Sequence, residues 1–97
     1  MTGTFDGTEH RHAYPRLYEL MSALQVRHLD VELRASPLAL LVTRRDSGAR
    51  QTVTCKPRVT DHDRMWFFDE ASNEPIAEAA HIVDAAVIIA GHLAPAP

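Results

Sequence analysis

The chain has 97 residues, 45% of them hydrophobic and 24% charged, and a formal net charge of −3 at pH 7. Such a length suits one domain, and the composition is that of a globular chain and not of a disordered one. The acidic balance argues against nucleic acid as a main partner, and the lone Cys55 excludes an internal disulfide or a cysteine-based zinc site.

Residues 1–13 are rich in Thr, Gly, Asp and His and lack apolar periodicity, so a flexible tail is expected there, followed by a single α+β domain over 14–94. Nothing near the start resembles a signal peptide and no run reaches membrane-spanning length, which makes the cytoplasm the expected compartment. Pro15 suits the first turn of a helix, where its missing N–H has no partner to lose. Leu17, Leu20, Met21 and Leu24 then recur at the spacing of one helical face. From His28 to Arg34, polar residues alternate with Leu29, Val31 and Leu33. That pattern favours a strand over a continued helix, which would spread the three around too wide an arc.

Ala35-Ser36-Pro37 is a turn signal, and Leu38 to Arg44 reads as a second strand. Asp46-Ser47-Gly48 supplies a tight connection. Gln51 to Lys56 alternates again, with Val53 and Cys55 on one side and Thr52, Thr54 and Lys56 on the other. Pro57 suggests a strand end. After Thr60-Asp61-His62-Asp63 turns the chain, Met65 to Phe68 forms a fourth strand dense in aromatics. Ser72-Asn73-Glu74-Pro75 is expected to open a last helix from Ile76 to about Leu93. Its apolar arc covers half the circumference, with Val83 and Val87 near the centre. On that phase Val83→Asp should bury an unpaired charge.

The expected fold is therefore a two-layer α+β sandwich, a four-stranded antiparallel meander with two helices in the order α-β-β-β-β-α. Such a sheet has one core face. Yet Trp66 and Phe68 oppose Met65 and Phe67, and Leu38, Leu40 and Val42 oppose Ala39 and Leu41. Three readings compete for this excess: cross-strand aromatic packing that hides it, self-association or a partner protein that covers it, which is the favoured reading, and a small-molecule pocket. Trp66, Phe68, Leu41 and, on the last helix, Ile88 are the interface candidates, and a homodimer is the expected assembly.

The polar motifs are weaker. Glu78-x-x-His81 has the spacing of a di-iron helix motif, but both residues fall on the polar face and no second copy exists. His10 and His12 lie in the expected tail, and Asp61-His62-Asp63 are ordinary turn residues. Lys56, Arg58 and Arg44 could add a basic patch, and Arg44, Arg45 and Arg50 gather around one turn. With no phosphate loop, catalytic triad or dinucleotide fingerprint, no metal, cofactor or catalytic residue is assigned.

Three stretches carry a resemblance: Val31-Glu32-Leu33-Arg34-Ala35-Ser36-Pro37-Leu38-Ala39-Leu40, Val53-Thr54-Cys55-Lys56-Pro57-Arg58 with Met65-Trp66-Phe67-Phe68, and Glu74-Pro75-Ile76-Ala77-Glu78-Ala79. In these the chain resembles a group of small actinobacterial α/β proteins, and it is similar to developmental regulators of the BldB type. Such chains are sometimes encoded near helix-turn-helix regulators. The resemblance implies a fold and a regulatory setting and carries over no catalytic residue. The expected function is a non-enzymatic, self-associating regulatory or adaptor module acting through protein contacts. The alternative is a small ligand carrier or enzyme with a pocket between sheet and helices.

Overall fold

The computed structural model describes residues 7–35 and 37–94, with side chains from residue 11 onward. Helix α1 (Gly7–Gln25) leads into strands β1 (Asp30–Ala35), β2 (Leu38–Thr43), β3 (Arg50–Arg58), β4 (Arg64–Asp69) and β5 (Pro75–Glu78), and α2 (Ile82–His92) follows. The strands form one sheet in chain order, each antiparallel to the next. The α+β class and the meander stand as expected. The sheet has five strands, however, and not four.

In α1 the apolar stripe is what the spacing predicts: Leu17, Leu20 and Leu24 are fully buried and Met21 packs beside them. The helix starts earlier than expected. Gly7 to Ala13 are helical and Ala13 is buried, so the expected tail is corrected over residues 7–13, while residues 1–6 lie outside the described ones. Ala13 continues the Leu17 stripe one turn back, and Pro15 sits inside the helix. There it removes one backbone hydrogen bond, a cost that the burial of Ala13 partly offsets. His28, at a left-handed φ of 65°, ends the segment, and the Leu24 carbonyl accepts from Arg27 and Leu29 N–H. Leu29 is buried, and the alternating stretch beyond it is a strand.

The segment expected to begin the last helix forms β5 instead. Ala77 pairs with Phe67 and Glu78 with Trp66, with a bulge where Phe68 meets Pro75. Without β5 the outer edge of β4 would leave backbone N–H and C=O groups unpaired beside the core, and this outweighs the helical preference of Ile76 to Ala80. The β4–β5 turn is held by Asp69, whose carboxylate accepts from Ser72 N–H at 2.9 Å, Ser72 Oγ at 2.8 Å and Gln51 Nε2 at 3.0 Å. Asn73 closes it at a left-handed φ of 59°.

The late start resets the phase of α2. Its inward stripe is Ile82, Ala85, Ala86, Ile89 and Leu93, whereas Val83 is 67% exposed and Val87 is exposed too. The expectation that Val83 and Val87 centre the buried arc is therefore wrong. Counting residues 76–79 as helix rotated the apparent centre.

Both helices cover the same sheet face. Their stripes meet Leu40, Val42, Val53, Cys55, Phe67 and Ala77 in one cluster. Cys55 is buried there, and burial pushes its thiol up to about 12.

Two outcomes follow. Phe67→Ala should cost about 3–5 kcal/mol in urea unfolding, while Val83→Asp, in the first turn of α2, should stay within about 0.5 kcal/mol of the parent. The Ser72 hydroxyl, and after it the Gln51 amide, hold the Asp69 carboxyl below its ordinary value against the effect of burial. A depressed folded-state pKa gives stability that is present above the unfolded value of about 3.9 and lost as pH falls through the folded one. Asp69→Ala should thus lower stability by about 1 kcal/mol at pH 7, and denaturation at pH 3 should show a smaller gap.

Candidate functional site

Opposite residues in an antiparallel ladder share a face, so the register fixes what the uncovered side of the sheet carries. Leu41 stands between Glu32 and Thr52. Thr54 faces Phe68, and Trp66 lies between Lys56 and Glu78. Ala39 and Phe68 are buried on this side without any helix above them, and neither belongs to the core cluster. Leu41 and Trp66 are half-buried. The sequence left open which pair of the aromatic strand would face outward. Trp66 and Phe68 do, while Phe67 and Met65 face the helices.

Two cations cap the rings. Lys56 Nζ lies 4.7 Å from the Phe68 ring centre and donates to Asn73 Oδ1 at 2.5 Å, which ties the β4–β5 turn across the ring. The Arg58 guanidinium lies 4.4 Å from the Trp66 ring, and Trp66 Nε1 donates to Asp61 Oδ2 at 2.8 Å. Arrangements of this kind fix the rings and shield their faces. Phe68 is thus a support beneath the surface, and Trp66 is the more accessible of the two rings. The sequence named the two aromatics but not their caps. Lys56 and Arg58 alternate with Cys55, so their side becomes known only once Cys55 is seen to be buried.

Ile88 is on α2 and 36% exposed. It meets Trp66 in a groove of about 460 Å³ that wraps the β5 side of the domain, lined also by Ile76, Glu78, Asp84 and Val87. Of the four interface candidates, Trp66 and Ile88 share this groove, whereas Leu41 lines separate clefts two strands away. A larger cleft of about 680 Å³ follows the β1 edge, between Gln25, His28, Asp30, Glu32, Thr43 and Arg45.

The polar motifs are dispersed. Glu78 is on β5 and His81 is the N-cap residue of α2, so they do not share a helix face. Asp61 is engaged by Trp66, and the neighbouring His62 and Asp63 adopt left-handed turn conformations. His12 is exposed on α1, and the side chain of His10 lies outside the described ones. Among the described residues no three His, Cys, Asp or Glu side chains converge on one point. The basic cluster is largely neutralised. Arg45 chelates Asp30 at 2.8–2.9 Å and Arg44 bonds Asp46 at 2.7 Å, which lowers the pKa of both carboxyls.

Compared with models of protein families, with curated proteins and with solved structures, the chain has no match. No helix among the described residues is long and apolar enough to cross a membrane.

If Arg58 shields Trp66, Arg58→Ala should shift the emission of this single tryptophan to the red. The melting curve should change by about 1 kcal/mol or less, the worth of an exposed cation–π contact. Unchanged emission would show that the guanidinium does not cover the ring.

Proposed function

We propose that the chain is a non-enzymatic, self-associating regulatory or adaptor module that works through protein contacts, with the uncovered sheet face as its partner-binding surface. The observation that carries this reading is Trp66: a half-buried ring covered by the Arg58 guanidinium, held through its indole N–H by Asp61, and opening on the Ile88 groove. Large amphipathic rings held in one orientation are the usual anchors of protein interfaces. A ligand carrier would use the space between sheet and helices, and Leu17, Leu20, Leu40, Val53, Phe67 and Ile89 fill it.

The test compares wild-type and Trp66→Ala baits in the native host, with circular dichroism confirming that both are folded. A partner held by the wild type should bind Trp66→Ala about 30-fold more weakly, the equivalent of about 2 kcal/mol. The wild type should scatter light as a dimer at micromolar concentration. Equal partner recovery by both baits would contradict the assigned surface, and a monomer mass at every concentration would contradict self-association. Stoichiometric metal that disappears in a His62→Ala, His81→Ala double variant would instead favour a metal-dependent activity.

A further inference from the structure

We propose that two copies of this chain join through the β1 edge, antiparallel about a twofold axis at Leu33, so that their sheets run on as one of twice the width. The proposal rests on the self-associating reading and names the surface that serves it.

The two edges of the sheet differ. β5 is four residues long, opens on a proline and is bulged against its neighbour. These are the usual devices that stop a strand from pairing further. β1 is six residues long, has no proline, and pairs with β2 in unbroken register along its whole length. Its outer row of N–H and C=O groups is therefore a straight template for one more strand.

The side chains say which strand. Glu32 and Arg34 lie on the uncovered face, 3.8 Å apart and 65% and 54% exposed. Pleating permits only registers that keep faces aligned, which leaves few ways to pair β1 with itself. With Leu33 opposite Leu33, Glu32 of each copy faces Arg34 of the other, twice over, and Val31 faces Ala35. Sliding one step either way sets Glu32 against Glu32 or Arg34 against Arg34. Directly opposed like charges are destabilising, and of the three registers only the one at Leu33 has none; in the Glu32 register Arg34 would face Asp30, a carboxylate that Arg45 already holds. A charged edge that repels most strands thus complements its own copy.

The covered face agrees. Val31 and Leu33 pack on the core yet stay half-exposed, and a strand beside them would complete their burial. Gln25 lines the cleft along β1, and Tyr18, seven residues earlier, shares its flank of α1. Tyr18 is 51% exposed and Tyr14, one turn before it, is exposed too. In the joined sheet this aromatic flank lies towards the α1 of the second copy.

Charge reversal decides it. By light scattering and sedimentation, Glu32→Arg and Arg34→Glu should each dissociate roughly 10-fold to 100-fold more readily than the wild type, because two attractive cross-strand pairs become repulsive. Mixed in equal amounts, the two variants should recover a 1:1 heterodimer, since each then faces its opposite; the loose pair within one chain cannot produce that result. Trp66→Ala should keep the dimer mass. A wild-type dimer that survives both reversals, or a mixture that does not associate, overturns the edge pairing while leaving self-association standing. A wild-type monomer throughout the range overturns both.

Discussion

The seam where α1 and α2 lie side by side on one face of the sheet is the constraint on which the rest depends. Leu17 and Leu20 from one helix and Ile89 from the other meet Phe67, Val53 and Leu40 with no accessible surface left. Because both helices are spent on this face, the pleat assigns every strand residue to the interior or to a side that nothing covers. The burial of Cys55, the outward position of Trp66 and the charged row of Glu32 and Arg34 are consequences of that choice.

Much of this was legible in the sequence. The stripe from Leu17 to Leu24 and the alternation around Leu33 and Val53 report a helix and strands because burial acts locally through one period in each case. The excess of apolar residues on β2 and β4 also showed that one sheet face would carry Trp66 and Phe68 or Met65 and Phe67 without a helix above it. Where the reading failed, the cause lay outside the segment. Ile76 to Ala80 lean towards helix on their own, and Ile76 to Glu78 become a strand because β4 needs a neighbour. Moving the helix start to Ile82 then left both valines of α2 exposed. A stretch as uniformly apolar as Ile82 to Ala90 cannot reveal its own phase. Residues 7–13 were missed because one alanine, Ala13, is their only deeply buried side chain among those described.

The candidate surface was legible in its residues and not in its finish. Trp66, Leu41 and Ile88 were named from pattern alone, yet their relation to one another depends on strand register and on the path of β5. Lys56 and Arg58 show how a sheet face rich in rings stays compatible with water. The Lys56 ammonium and the Arg58 guanidinium lie directly over the rings, so each aromatic face is met by a charge and not left bare. Ion pairs elsewhere join Arg16 with Glu19, Arg34 with Glu32, Arg44 with Asp46 and Arg45 with Asp30. The exposed pairs contribute little to stability and mainly shape the field that a partner meets.

The buried thiol of Cys55 has a consequence of a different kind. Largely buried between sheet and helices and with its ionisation pushed up to about 12, it is both hard to reach and almost wholly protonated at neutral pH. A thiol reacts as its anion, so a dissolved oxidant or labelling reagent must wait for the two layers to part. The rate at which this one sulfur is modified is then a clock for the opening of the whole core. A disulfide-linked pair of chains, should one form in storage, is a record of molecules whose cores had already opened.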